Sequence, residues 1–110
     1  MLLTDPAAER AVLSGIFNHG NSAYFDVADI VNENTFTVDS NAVIFKCLKH
    51  VLENNKNESV DIPSIFSASS ELGLSHVFDK REEVKHLDAV TKFPVNSGNV
   101  RKFAAKIRKL

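Results

Sequence analysis

Apolar residues in this chain recur at spacings of three and four nearly from end to end, and that regularity decides what it can fold into. Ile44, Cys47, Leu48, Val51 and Leu52 stand at i, i+3, i+4, i+7 and i+8, with Lys46, Lys49, His50 and Glu53 on the other side. On a helix of 3.6 residues per turn they form one stripe, whereas a half-buried strand needs strict alternation. The pattern predicts a helix starting at an Asp39 or Ser40 cap and ending in the polar run 54–58.

The rest of the chain repeats this logic. Asp5-Pro6 and Asp61-Ile62-Pro63 pair a carboxylate that can cap free amide donors with a proline whose missing N–H costs nothing in a first turn. The first start leads into Ala8, Val12, Leu13, Ile16 and Phe17, a helix over about residues 6–18 that stops at Asn18-His19-Gly20-Asn21. The second leads into Ile65, Phe66, Ser69 and Leu72, stopped by Gly73. Between them, Ser22 is expected to cap a helix carrying Tyr24, Val27, Ala28 and Val31 as far as Asn32-Glu33-Asn34. Residues 35–38 have strand-like composition, but a lone four-residue strand has no partner, so they read as a connector that plugs Phe36 into the core. Asp79 to Phe93 carries Val84, Leu87 and Val90 on one side and ends at Pro94. After Asn96-Ser97-Gly98-Asn99, a last helix sets Val100, Phe103, Ala104, Ile107 and Leu110 against five cations. The expectation is an all-α fold, a compact bundle of about six helices.

At 110 residues and 44% hydrophobic, the chain suffices for one core without staples, and its single cysteine, Cys47, cannot form an internal disulfide. Met1-Leu2-Leu3 is cut short by Thr4-Asp5-Pro6, so a signal or membrane segment is not expected and the cytoplasm is the default. The net charge of -1 conceals an asymmetry: every charged residue after Asp88 is basic, and six of the 13 cations lie from Lys92 onward. Residues 1–91 therefore carry about -7 and residues 92–110 about +6. Such an end can meet a phosphate backbone, an acidic partner or the acidic body of another copy.

Catalytic signatures are missing. The chain has no G-x-x-x-x-G-K-[ST], no G-x-G-x-x-G, no H-E-x-x-H and no cysteine pair. His19, His50, His76 and His86 lack ligand spacing, Cys47 falls on an apolar stripe as an inert thiol would, and Glu82, Glu83 and Asp88 sit among Lys80, Arg81 and Lys85 as on a solvated face. No catalytic, cofactor-binding or metal residue is expected.

Four motifs in order complete the reading. They are residues 8–17 (AERAVLSGIF), Phe36 followed by residues 41–46 (NAVIFK), Val60-Asp61-Ile62, and residues 99–107 (NVRKFAAKI). Together they resemble the N-terminal domain of DnaB-type replicative helicases over nearly the whole chain. The departures are Asn41 where the family commonly has His, Thr37 where it has Tyr, and residues 74–78 where it has a Gly-Gly-Tyr turn; they point to a divergent member of viral or plasmid origin. The resemblance implies a globular domain over 1–94, with 95–110 the start of a helical hairpin or linker helix. It implies no enzyme in this piece, with ATP and magnesium used by the parent helicase's motor, which also engages DNA. The implied partners are other copies of the chain, as a dimer or a hexameric collar, together with primase and a helicase loader, in bacterial, plasmid or phage replication. Val100, Phe103, Ala104, Ile107 and Leu110 are then the expected self-association face. Two other readings are the helicase-binding domain of a primase and a small DNA-binding protein that uses the basic last helix.

Overall fold

A computed structural model describes residues 5–54 and 60–108. Six α-helices appear: α1 (Pro6–His19), α2 (Asn21–Val27), α3 (Asp39–Asn54), α4 (Ile62–Glu71), α5 (Arg81–Thr91) and α6 (Val100–Arg108), with 3-10 turns at Glu33–Thr35, Ser75–Asp79 and Ser97–Asn99. No strand occurs among the described residues, so the fold is an all-α bundle.

Both Asp-Pro starts work as the sequence predicts. Asp5 accepts from the Ala8 N–H at 3.1 Å and Asp61 from the Ser64 N–H at 2.9 Å, each ahead of a proline in the first turn. α1 ends at Gly20, whose φ of 66° disfavours a residue with a Cβ. One glycine closes α1, donating its N–H to the Ile16 carbonyl, and opens α2, where its carbonyl receives the Tyr24 N–H. Ser22 is therefore inside α2 rather than capping it. α2 also stops sooner than expected, at Val27, and Ala28 is exposed. Asn32 caps the 3-10 turn that follows. Its side chain accepts from the Asn34 N–H and its own N–H goes to Thr35 Oγ1, a local bonding that competes with helix. Val31 and Phe36 are buried all the same.

α1 is the hub, packed against α2, α3, α5 and α6. Ala8, Val12, Leu13 and Ile16 meet Ile44, Cys47, Leu48 and Val51 from α3, Leu87 and Val90 from α5, and Val100, Ala104 and Ile107 from α6 in one hydrophobic cluster. α6 comes close to α1 at Gly15, where an added Cβ would overlap Val100 Cγ2 and stand 3.0 Å from Cγ1. A glycine in mid-helix is disfavoured by about 1 kcal/mol; here it lets α6 settle on the helix backbone.

The expected boundary between 94 and 95 falls in the Pro94 loop, but α6 shares the core of the other helices. The Cα radius of gyration, 12.7 Å, matches the ~13 Å of a single globule this long. Besides Ala28, two residues of the predicted stripes are displaced outward: Leu72, the α4 C-cap, is 39% exposed, and Val84 is 36% exposed.

Beneath the apolar core runs a polar one. Glu9 is fully buried, and its carboxylate accepts from the Thr37 N–H (3.0 Å), Thr37 Oγ1 (2.6 Å), the Val38 N–H (3.4 Å) and Asn41 Nδ2 (3.0 Å). Because the Asn41 amide donates to Glu9, its Oδ1 is the acceptor for His86 Nε2 at 2.6 Å, which fixes the proton of the imidazole on Nε2. The relay joins α1, the connector, α3 and α5.

Candidate interaction surface

Asn96 organises the entry to α6, its side chain accepting from the Gly98 N–H and its carbonyl from the Asn99 N–H. The helix then turns Val100, Ala104 and Ile107 inward, the first two fully buried and the third nearly so. This corrects the expectation that these three side chains form a face for another copy: the domain uses them for its own core. Phe103 is half-buried, beside a groove of about 300 Å³ lined also by Ala8, Ala11, Phe93, Pro94 and Val95. Leu110 lies outside the described residues.

The tail cations fold back onto the acidic body. Arg101 donates to both Asp29 oxygens, at 3.1 and 3.2 Å, and to the Asp26 carbonyl. This contact holds the Asp29 carboxyl below its ordinary value and the Arg101 guanidinium above its own. Lys106 reaches Asp5 at 3.1 Å, where the Ala8 N–H first and Lys106 second hold that carboxyl down. Lys92 pairs with Asp88 at 3.0 Å, one turn back on the same segment. Lys102 and Arg108 are exposed, with no ion pair within 4.0 Å among the described residues. Three of the six tail cations, Lys92, Arg101 and Lys106, thus meet anions of the same chain.

The titratable groups do not converge. No cluster of three His, Cys, Asp or Glu side chains able to hold a metal occurs among the described residues. His50 touches Glu71 at 3.4 Å on the surface, and His86 is tied to Asn41. Of the three carboxylates near each other in sequence, Glu83 accepts from Ser40 Oγ, Asp88 pairs with Lys92, and Glu82 is exposed. Cys47 is fully buried, which pushes its thiol up to about 11. Sequence reasoning did not assign the Glu9–Asn41–His86 relay. The signal was present: Glu9 precedes Val12, Leu13 and Ile16 by three, four and seven, the spacing of the buried stripe.

What the surface offers is apolar. Phe25 is 62% exposed, edge-on to the buried Tyr24 at 5.2 Å, and Val84 stands beside an open groove between α4 and α5. No helix among the described residues is long and apolar enough to cross a membrane. Comparison with curated proteins and with solved structures returns no match. A family model does match, described as the DnaB-like helicase N-terminal domain, and it covers residues 1–109. With a match over essentially the whole length, this six-helix, all-α chain belongs to the DnaB-like helicase N-terminal domains, the N-terminal domain of a replicative helicase.

Proposed function

We propose that this domain assembles and docks: copies of it associate into the collar of a hexameric replicative helicase, and the collar receives primase and a helicase loader in the cytoplasm of a bacterial, plasmid or phage replication system. The observation that supports this most is the family match over residues 1–109. The fate of the polar groups agrees with it, since Glu9, Asn41 and His86 are engaged in holding helices together. ATP and magnesium belong to the parent's motor. A P-loop is a glycine-rich loop leading to Lys-Ser/Thr, whereas Gly20 and Gly73, the described glycines with positive φ, lead into Asn21-Ser22 and Leu74-Ser75, which supports assigning the nucleotide to the parent's motor.

The reading as a DNA-binding protein is weakened by Arg101 and Lys106, two of the cations it needs, which are engaged with Asp29 and Asp5. Calorimetric titration with the helicase-binding domain of the primase from the same replication system tests the proposal. Saturable binding, with no retention of duplex DNA, is the expected result. Absence of binding to primase and loader, together with duplex binding that weakens steeply with salt, overturns it.

A further inference from the structure

Arg10 is held in place on α1 but meets no anion. Its guanidinium lies 5.5 Å from the centre of the Phe93 ring, and the residue is half-buried. Among the described residues it makes no ion pair within 4.0 Å. The covered Nε–H finds no acceptor there either, while the two Nη nitrogens are not closed off. Arg10 and Glu83 both act on His86, yet Glu83 turns to Ser40 Oγ at 3.0 Å. A guanidinium stacked on a ring and partly desolvated is already ordered, so an incoming carboxylate meets a fork at little further entropic cost.

Phe93 is shared between this cation and the groove beside it. The groove, of about 300 Å³, is otherwise walled by Ala8, Ala11, Pro94, Val95 and Phe103, with room for a large apolar side chain. Ala7 also lines it, and Arg10 follows Ala7 by three on the same helix, which sets the guanidinium at the groove's edge. Lys106 and Asp5 on the rim satisfy each other at 3.1 Å, and Lys92, next to Phe93, is taken by Asp88 at 3.0 Å. Lys102, one turn before Lys106 on α6, is exposed and makes no ion pair within 4.0 Å among the described residues. The unmet charges around this apolar groove are therefore positive, Arg10 from α1 and Lys102 from α6. A nucleic-acid backbone calls for a run of free cations and offers nothing to an apolar groove; an acidic side chain next to an apolar one matches both features.

We propose that an acidic, amphipathic segment of another protein docks here, its apolar side chain in the Phe93–Phe103 groove and its carboxylate on the Nη fork of Arg10. The inference goes beyond the docking read above, because it rests on the charge and shape of this face and not on which protein supplies the segment.

Selection from a displayed library of random peptides supplies the probe, and the enriched peptide is then titrated into the 110-residue chain. The expected peptides pair Asp or Glu with an aromatic or large aliphatic residue. On titration the Arg10 Nε–H resonance should move together with the amides of Phe93, Val95 and Phe103. Arg10→Gln is expected to weaken binding about tenfold or more, the scale of one charge-assisted pair, and Arg10→Lys to recover little of it, since a point charge lacks the fork. Replacing the acidic residue of the peptide by alanine should cost as much, a readout that leaves the chain itself intact. No enrichment, enriched peptides without an acid, or binding indifferent to Arg10→Gln overturns the proposal. So does an oligonucleotide that moves the Arg10 resonance at lower concentration than the peptide, or movement of that resonance when the chain alone is concentrated, which would give the face to a second copy. Primase binding that ignores Arg10→Gln while the peptide fails overturns this surface and leaves the docking reading standing. A peptide seated on Arg10 with no binding of primase or loader supports the surface and counts against that reading.

Discussion

Glu9→Ala removes the acceptor of four hydrogen bonds from a fully buried site, and its cost follows from what remains. The Thr37 N–H, Thr37 Oγ1, Val38 N–H and Asn41 Nδ2 all point at the lost carboxylate, three of them within 3.0 Å. A hydrogen bond to a charged group contributes about 1.5–3 kcal/mol, and a stranded buried donor costs about 1–3 kcal/mol. Allowing water to enter the vacated space and repair part of the damage, the loss is about 4–6 kcal/mol, a large share of the ~5–15 kcal/mol that holds a domain folded. Urea unfolding followed by helical circular dichroism reads it directly: with a slope of about 1–1.5 kcal/mol per molar, the midpoint falls by roughly 3–6 M. Glu9→Gln is expected to cost about 1–2 kcal/mol, because the relay can reverse. The glutamine amide donates to Asn41 Oδ1, the Asn41 amide turns its N–H toward His86, and the imidazole moves its proton to Nδ1. Nitrogen shifts of His86 should report that tautomer change. A cost under about 1 kcal/mol for Glu9→Ala would refute the reasoning, since only a solvated carboxylate is removed so cheaply.

Other consequences can be checked with the same material. Gly15→Ala gains about 1 kcal/mol of helix propensity but drives a methyl into Val100, so thermal unfolding should show net destabilisation of about 1–2 kcal/mol. Val100→Ala alone should cost about 2–3 kcal/mol, and the double variant less than the sum, because the new methyl fills the space the old ones leave. His86 carries a pKa held below its ordinary value, by burial above all, with nearby Arg10 acting the same way and Glu83 opposing. The unfolded chain therefore takes up a proton first as pH falls through about 6.5. The His86 contribution to stability is full above that pH and is lost below it, and His86→Gln should flatten a stability profile measured from pH 8 to pH 5. Cys47, buried with its thiol pushed up to about 11, should react with a disulfide reagent at neutral pH only at the rate of unfolding, and at once in denaturant.

The helices were legible because their signals are local. An Asp cap, a proline in the first turn and a stripe at three and four residues each act within a few positions, so Asp5, Asp61 and the stripe of α3 need no tertiary context. Phe36 could be placed in the core for the opposite reason, as an aromatic in a segment with no strand partner. The misses all depend on what lies across from a residue. Val84 and Leu72 fit their stripes as well as Leu87 and Ile65 do, but α4 and α5 do not close on each other, and no periodicity within one helix reports that. The partner-facing role expected for Val100, Ala104 and Ile107 met the same limit: an amphipathic helix announces an apolar face without saying whether its own domain or a neighbour covers it. Gly15, which allows α6 its close approach to α1, was the sequence feature that pointed inward. The tail cations behave alike, since Arg101 meets Asp29 and Lys106 meets Asp5 across 72 and 101 residues, respectively, which charge counting along the chain does not register. Glu9 was visible as a charge on a buried stripe, but its donors come from the connector and α3.

That α6 belongs to the domain's own core, leaving association to other faces, is tested most directly by native-state amide hydrogen exchange of the isolated domain. The backbone amides of Ala104 and Ile107 should be protected to within about 1 kcal/mol of the best-protected amides of α1, because the two helices can then open only together. Rapid exchange along α6 while the α1 amides remain protected would show a helix that undocks freely, and would return Val100, Ala104 and Ile107 to the partner-facing role.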